Sequence, residues 1–185
     1  PNSISHSPGN PPNNFQGDAM DKETLGGGRR GADGRARVKT GTGGLTVSGD
    51  LSGFAGTLGL NNGSLTVDNA NTVGLALSLA GNSADSRALT WKGDSVRSLN
   101  VQSDNNKLIL ERDLALSGAL SGFGSLEKSG TRLLSLNAAG TFSGTLSLKQ
   151  GNILFNASSP LAGAATLAFA GPAGETLTLD LADGV

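Results

Sequence analysis

Short stretches in which every second residue is apolar recur along the chain from residue 45 onward. In each stretch Leu, Val or Phe alternates with Ser, Thr or Gly, as in "KLIL" at 107–110 and "TLTLDL" at 176–181. A period of two is that of a β-strand with one buried face. Turn signals such as "NNG", "KGD" and "KSGT" separate the stretches, and no segment keeps the helical period of 3.6. The pattern predicts an all-β protein with very little helix.

Internal repeats distinguish between two all-β architectures. The decapeptide "LTVSGDLSGF" at 45–54 returns as "LALSGALSGF" at 114–123, and "GTLGLNNGSLTV" at 56–67 returns as "GTLSLKQGNILF" at 144–155. The offsets of 69 and 88 residues lie near multiples of about 20, a unit typical of solenoid coils. We interpret the decapeptide as the sequence of one corner of the coil, which recurs in more than one coil of the stack. The sequence therefore predicts a parallel β-helix with roughly 20-residue coils over 45–185, with an antiparallel sandwich as the alternative.

The first 44 residues differ from the rest in composition. Four of the six prolines lie in the first twelve residues, and the Gly-rich stretch at 26–44 carries five basic residues and one acid. Residues 1–40 have a net charge of +2 and residues 41–185 a net charge of −3. We predict an extended arm or linker over 1–44, either solvated or docked on the acidic body of a neighbouring copy. The residues assigned to that inter-subunit contact are Phe15, Arg29, Arg30, Arg35 and Arg37.

The ends of the predicted stack carry no recognisable cap. The C-terminal "ETLTLDLADGV" is an alternating strand without a charged or proline-rich stop, and the strand that begins at 45 follows only glycines. Open strand edges are templates for pairing, and stacking that does not close produces a filament. We therefore expect head-to-tail stacking through residues at both ends. These residues are Leu45, Val47, Leu177, Leu179 and Leu181.

The composition offers little for catalysis. The chain has no Cys, no Tyr and a single histidine, His6, which lies in the polar tail. The carboxylates lie one at a time in predicted turns, and the densest cluster, "ERD" at 111–113, is interpreted as a solvated corner. Trp91 is interpreted as a core-edge residue, with a surface aromatic for a sugar or a partner as the alternative. No catalytic residue, cofactor or metal site is predicted, and a carbohydrate-active enzyme would need three or more carboxylates in one groove.

Net charge and hydropathy restrict the partners. The net charge of −1 provides no general attraction to nucleic acid or to a membrane surface. The basic stretch at 26–44 lacks the interleaved aromatic residues that stack on bases. No apolar run approaches 18 residues, so we expect no membrane insertion of this segment as a helix.

The segment "FGSLEKSGTRLLSLNAAGTFSGTLSLKQGNILFN" at 123–156 resembles the passenger-associated repeat of bacterial autotransporters. The residues on or within one position of that pattern are Leu126, Lys128, Gly130, Leu134, Leu136, Phe142, Gly144, Leu148, Gly151 and Leu154. Arg132 stands where the pattern has its second glycine. The resemblance implies a right-handed single-stranded parallel β-helix that is exported to a bacterial surface.

These observations predict a non-enzymatic extracellular β-solenoid that assembles end to end into a surface fibre or filament, with the arm clipping neighbouring subunits. Its partners would be copies of itself, with surface glycans or other cells as further candidates. The alternative is a stalk segment of a monomeric autotransporter adhesin, whose binding function lies elsewhere in a longer chain. A carbohydrate-active enzyme is the third interpretation.

Overall fold

The computed structural model describes the backbone of residues 14–15 and residues 36–48, 51, 53–68, 72 and 74–182. Every regular element in this part of the chain is a β-strand, and none is a helix. All strand pairs are parallel, and they form three sheets, which we call faces A, B and C.

Each face is a row of strands that follow one another along the coil axis. Face A consists of β1 (Asn14–Phe15), β2 (Arg37–Lys39), β4 (Thr57–Leu60), β6 (Ala76–Leu79), β9 (Ser98–Val101) and β12 (Leu120–Gly122). Face B consists of β3 (Gly44–Ser48), β5 (Gly63–Asp68), β7 (Arg87–Trp91), β10 (Asn106–Leu110), β13 (Ser125–Ser129), β15 (Thr145–Leu148) and β17 (Thr166–Phe169). Face C consists of β8 (Ser95–Val96), β11 (Leu114–Leu116), β14 (Leu134–Leu136), β16 (Asn152–Phe155) and β18 (Thr178–Leu181).

The solenoid has about 6 turns, and in its middle coils the chain passes from face A to face B to face C before the next coil begins. Among the described strands, face C begins only at β8 and face A ends at β12. Residues paired between neighbouring coils are separated by 19 residues at the shortest, as in Leu134 with Ile153, and by 26 at the longest, as in Asn152 with Thr178. The predicted parallel solenoid with roughly 20-residue coils is therefore confirmed, and the antiparallel sandwich is wrong. The right-handed sense stays a prediction.

The core is a set of residue stacks that run along the coil axis. On face B, Leu45, Leu65, Leu89 and Leu108 are register partners in successive coils, and each is buried. A single coil cannot cover its own inward leucines, whereas the next coil, at about 4.8 Å, covers them. Each buried leucine contributes about 1.5–3 kcal/mol, so stability accumulates coil by coil.

The first coil begins inside the range predicted as an arm. β2 pairs in register with β4, so Arg37–Lys39 is a strand of the solenoid. β1 pairs with the other side of β2, with Phe15 opposite Lys39. The division of the chain at residue 44, and the arm itself, stay predictions.

The sequence repeats do not mark one corner. "LTV" at 45–47 lies in β3 on face B, whereas its counterpart "LAL" at 114–116 is β11 on face C. The second repeat is shifted in the same way, because its two strands lie on faces A and B in the first copy and on B and C in the second. The expectation of a single repeated corner is wrong. The second copy of each repeat therefore lies a whole number of coils further along the axis and, in addition, one face further around the coil.

Equivalent turns explain why similar sequences fit different corners. Gly63 lies at the A-to-B corner with φ 74°, and Gly151 lies at the B-to-C corner with φ 73°. An added Cβ at Gly63 would lie 2.5 Å from the carbonyl oxygen of Gly43, and one at Gly151 would lie 2.8 Å from that of Gly130. Both positions therefore require glycine for the same two reasons, a left-handed backbone and a close approach of the coil below.

Candidate functional site

The C-terminal coil exposes side chains that occupy interior positions. We call β17 and β18 the open coil. Phe169 is the register partner of buried Leu148, and Leu181 is the partner of Phe155, so both continue inward stacks. Phe169 is nevertheless 52% exposed and Leu181 61% exposed. Within the part of the chain that the structure describes, the outer edges of β17 and β18 pair with no strand.

The predicted stacking-end residues divide into two groups. Leu177 and Leu179 are half-buried against the core, and Leu181 is exposed at the open coil. Leu45 and Val47 are 5% and 1% exposed, respectively, so they present almost no apolar surface. Among the described residues, the end with exposed apolar side chains is the C-terminal one.

The predicted arm contacts are only partly visible. Arg37 lies in β2, is half-buried, and its guanidinium donates to the carbonyl of Ala36 at 3.4 Å. Phe15 is placed by its backbone in β1. Arg29, Arg30 and Arg35, as well as His6, lie outside the described residues.

Two lysines are buried inside corners and bridge consecutive coils. Lys39 Nζ donates to the carbonyl oxygen of Gly41 in its own coil and, at 3.0 Å, to that of Asn62 in the next. Lys128 Nζ donates to the carbonyl oxygens of Gly130 and Gln150, both at 2.7 Å. We call these two arrangements the lysine corners.

The lysine corners are copies of one motif on different faces. Lys39 ends β2 on face A, where it continues a stack with Leu60, and Lys128 lies in β13 on face B between Leu108 and Leu148. Each lysine begins the sequence Lys–Thr/Ser–Gly–Thr. One coil later the chain has a polar residue followed by a glycine with positive φ, Asn62–Gly63 in the first corner and Gln150–Gly151 in the second. The motif satisfies corner carbonyls that would otherwise be buried without a donor.

Burial changes the acidity of both lysines. Lys128 has no exposed surface, and burial lowers its pKa to about 8, with nearby Asp113 acting in the opposite direction. Burial also lowers the pKa of Lys39. In both cases the cause is loss of water around the ammonium group, which the carbonyl oxygens replace in part.

A third buried cation crosses several coils at the A-to-B corner. Arg87 donates from Nε to Asn106 Oδ1 at 2.7 Å and from Nη1 to the carbonyls of Asn61 and Asn82, both at 3.0 Å. Its Nη2 donates to the carbonyl of Asp104. Arg87 thereby ties corners of three coils, and burial lowers its pKa while Asp85 and Asp104 raise it.

Sequence reasoning missed these buried cations although a signal existed. Lys128 stands two residues after Leu126, and in a strand this spacing places both side chains on the same face. Arg87 stands two residues before Leu89 and has the same relation to the core. A charged residue in phase with buried leucines therefore indicates a buried ion.

A groove of about 630 Å³ runs along face B next to the A-to-B corner. We call it the side groove. Its floor is one row of outward register partners, each from a successive coil: Ser64, Ala88, Lys107, Glu127 and Ser147. Its rim includes Ser86, Asn105 and Ser125. Lys107 Nζ lies 3.6 Å from Glu127 Oε1.

The long loop at 80–86 stands beside this groove and is held by hydrogen bonds. Asn105 Nδ2 donates to the carbonyl of Ser83 at 2.6 Å, and Arg87 holds the carbonyl of Asn82. Asn105 has φ 59°, the only positive φ of a non-glycine residue within the described ranges. The loop is therefore tied to its neighbouring coils.

The acidic turns form local ion pairs. Lys92 lies 3.5 Å from both Asp68 and Glu111, and these carboxylates raise its pKa. Arg112 lies 3.0 Å from Asp94. Among the described residues, no group of three or more potential ligands could hold a metal ion.

Trp91 lies fully inside the core, so its interpretation as a surface aromatic is wrong. Its Nε1 has no hydrogen-bond partner within the part of the chain that is described. Over the same residues, no helix is long and apolar enough to cross a bilayer.

Comparison with known proteins yields no relative. No family model matches the chain, and no curated protein and no solved structure is significantly similar to it.

Proposed function

We propose that this chain is a non-enzymatic structural β-solenoid that extends by stacking its open coil end to end on a second copy. The observation that carries the proposal is the exposure of Phe169 and Leu181 at interior positions of the coil. The register partners of Phe169 in all preceding coils are buried. Those of Leu181 are buried as well, apart from the adjacent Phe155, which is half-buried. Covering the exposed half of each side chain is worth about 1–1.5 kcal/mol, roughly half the value for burying a whole one. The unpaired edges of β17 and β18 add a template for backbone hydrogen bonds.

Head-to-tail stacking preserves the pairing direction of the solenoid. β3 stands at the opposite end of face B, where β5 is its one partner among the described strands. A second copy placed in line with the first would present β3 to β17 in the parallel sense used throughout face B. Such a contact does not close on itself and therefore generates a filament.

The segment 1–35 is proposed to strengthen this contact by clipping onto the acidic body of a neighbour through its basic cluster Arg29, Arg30 and Arg35. The net charge of −3 on residues 41–185 supports this role, because it attracts a local cluster of arginines. Arg37 belongs to the first coil, so the clip would involve the basic residues before it, with Phe15 as an apolar contact.

The carboxylates of the described turns support the non-enzymatic part of the proposal. Asp68 and Glu111 both contact Lys92, and Asp94 contacts Arg112. The side groove contains one carboxylate, Glu127, which faces Lys107. In both arrangements a cation holds the carboxylates, whereas glycoside hydrolysis needs one carboxyl group that stays protonated to act as the acid.

Resemblance to autotransporter passenger repeats supports a location at a bacterial surface. The Lys–Thr–Gly sequence at 39–41 is a second instance of the Lys–x–Gly element of that pattern. It forms one of the two lysine corners, and 128–130 forms the other.

Negative-stain electron microscopy and sedimentation velocity of the purified chain test the assembly. We expect filaments with the width of one solenoid and a broad distribution of sedimenting species. The double variant F169K/L181K places two charges on the open coil, and we expect it to sediment as a folded monomer. The matched control is F123K, because Phe123 is 69% exposed but lies in the middle of the stack. F123K should form filaments like the unmodified chain.

The arm is tested separately by the variant R29Q/R30Q/R35Q, which removes its basic cluster and leaves β1, β2 and Lys39 in place. We expect filaments that are shorter or dissociate at lower salt. Unchanged filaments would refute the clip while leaving end-to-end stacking intact. A unique dimer would instead indicate that two open coils pair with each other, and that result contradicts the filament.

The alternative is a stalk segment of a longer monomeric adhesin. The same exposed coil favours it, because a following coil of one continuous chain would cover Phe169 and Leu181 equally well. A clean monomer of the unmodified chain in sedimentation would support the stalk and overturn self-assembly.

A further inference from the structure

The side groove is a preformed surface that the structural role does not use. Its rim is fixed by hydrogen bonds from Arg87 and Asn105 to the loop at 80–86. Its floor is a β-sheet face whose backbone is already paired. A ligand would therefore meet a rigid site, and binding would require little ordering of the protein.

The shape of the groove favours a chain-like ligand. Its lining extends from Thr42 in the first coil to Ser147, five coil steps away. At about 4.8 Å for each step, this is about 24 Å along the coil axis. A compact small molecule would occupy only a part of that length.

The chemistry of the lining favours hydroxyl groups as partners. Serine side chains occur on the floor and on the rim, and Asn105 adds an amide. Each serine hydroxyl can both donate and accept a hydrogen bond, as can a sugar hydroxyl. A peptide fits less well, because a sheet face offers no free backbone groups for its N–H and C=O, unlike a sheet edge.

The charges of the groove cancel locally. Lys107 faces Glu127 at 3.6 Å. The positive charge of Arg87 lies near Asp85 and Asp104, both of which act on its pKa. The lining contains Arg87 and Lys107 against Glu127, and Arg87 is buried beside Asp85 and Asp104, so a ligand with many negative charges would find little net attraction and the groove suits an uncharged one.

We propose that the side groove binds an extended, uncharged oligosaccharide that lies along the coil axis. The serine hydroxyls hydrogen-bond the sugar hydroxyls, and the Lys107–Glu127 pair supplies one strong donor and one strong acceptor within the groove. This site is on the side of the solenoid, so it stays accessible whether or not the open coil is stacked.

Isothermal titration calorimetry with defined hexasaccharides tests the proposal. The probes are cellohexaose, mannohexaose and the hexamer of N-acetylglucosamine, with hexagalacturonate as the charged comparison. We expect at least one neutral hexasaccharide to bind, its disaccharide to bind at least about ten-fold more weakly, and hexagalacturonate to give no heat. The length dependence follows from the number of coils that the ligand spans.

The variant K107A/E127A removes the charged pair and should weaken binding about ten-fold or more. The matched control is K92A/E111A, an ion pair of similar exposure outside the groove, which should bind within about two-fold of the unmodified chain. Thermal unfolding of both variants checks that the fold is retained. Absence of binding by all three neutral probes, preference for hexagalacturonate, or equal loss in both variants would overturn the proposal.

Discussion

Two glycines set the residue-scale geometry of the coil. Gly63 and Gly151 turn the chain at different corners with nearly the same φ, and each lies directly over a backbone carbonyl of the preceding coil. A side chain at either position would meet backbone atoms, which cannot rotate away. The close stacking of coils therefore depends on these positions having no Cβ.

Replacing Gly151 with alanine should destabilise the fold by about 2–3 kcal/mol. The left-handed backbone costs a non-glycine residue about 1–2 kcal/mol, and the new Cβ would lie 2.7 Å from the carbonyl carbon of Thr131. Urea-induced unfolding followed by circular dichroism measures the change. Gly163→Ala is the control, because nothing lies within 4 Å of its added Cβ and the change should stay within about 0.5 kcal/mol. Equal effects of the two substitutions would contradict this role of Gly151.

At the scale of elements, the lysine corners connect one coil to the next. Each lysine replaces a leucine-type residue in an inward stack and uses its length to reach carbonyl oxygens of two coils. A leucine there would leave those oxygens without a donor. Each lysine corner therefore buries less apolar surface than a leucine would, but it provides hydrogen-bond donors for the backbone carbonyls of the corner.

Burial of Lys128 makes stability depend on pH in a definite direction. Its pKa is about 8 in the folded chain, below the value of about 10.4 for an unfolded lysine, so the unfolded chain binds more protons between these pH values. Stability should therefore rise as pH increases from about 8 to 10.4, and the contribution of Lys128 is up to about 3 kcal/mol at 1.36 kcal/mol for each pH unit.

The measurement is the free energy of unfolding at a series of pH values for the unmodified chain and for K128M. The other lysines titrate in both proteins, so the difference between the two isolates Lys128. We expect this difference to grow in favour of the unmodified chain above pH 8 and to be constant below it. A difference that does not change with pH would show that Lys128 is not buried as a cation.

At the scale of the whole molecule, the three faces of the coil are nearly equivalent. Two sequence repeats and the lysine corner are each displaced by whole coils plus one face. A strand followed by a short glycine turn can therefore serve at more than one corner. What differs along the molecule is the position in the stack, because inner coils have neighbours on both sides and the open coil has one.

Because inner coils have two neighbours and the open coil has one, the same substitution should destabilise the protein to different extents along one stack. Leu116, Leu136, Phe155 and Leu181 are successive partners on face C, and exposure rises from 1% at Leu116 to 61% at Leu181. Leu116→Ala should cost about 3 kcal/mol, within the range for buried leucines, whereas Leu181→Ala should cost less than about 1 kcal/mol. Denaturant unfolding of dissociated protein measures both. Similar costs would show that Leu181 is covered in the monomer.

The sequence indicates the stacks well because alternation and spacing are local properties. The period of two alone places Leu65, Leu89 and Leu108 on the inward face. The repeats indicated coils of roughly 20 residues, although each offset also includes the step from one face to the next. The burial of Lys128 and Arg87 was not recognised. The free-energy cost of removing their charges from water is offset by hydrogen bonds to carbonyl oxygens of neighbouring coils, and these oxygens are distant in sequence. The side groove was missed for the same reason, since its floor takes one residue from each coil.

By itself, the sequence determined that the chain is all-β and that its leucines alternate onto one face of each strand, and it favoured a parallel coil with a period near 20 over an antiparallel sandwich. These features follow from local alternation and from the need of one coil to cover another. Only the tertiary structure decided which face each repeat occupies, which corner carbonyls the buried lysines reach, and which end exposes apolar surface. The physical reason is that equivalent glycine turns fit several corners, and only the accumulated winding of all preceding coils selects among them.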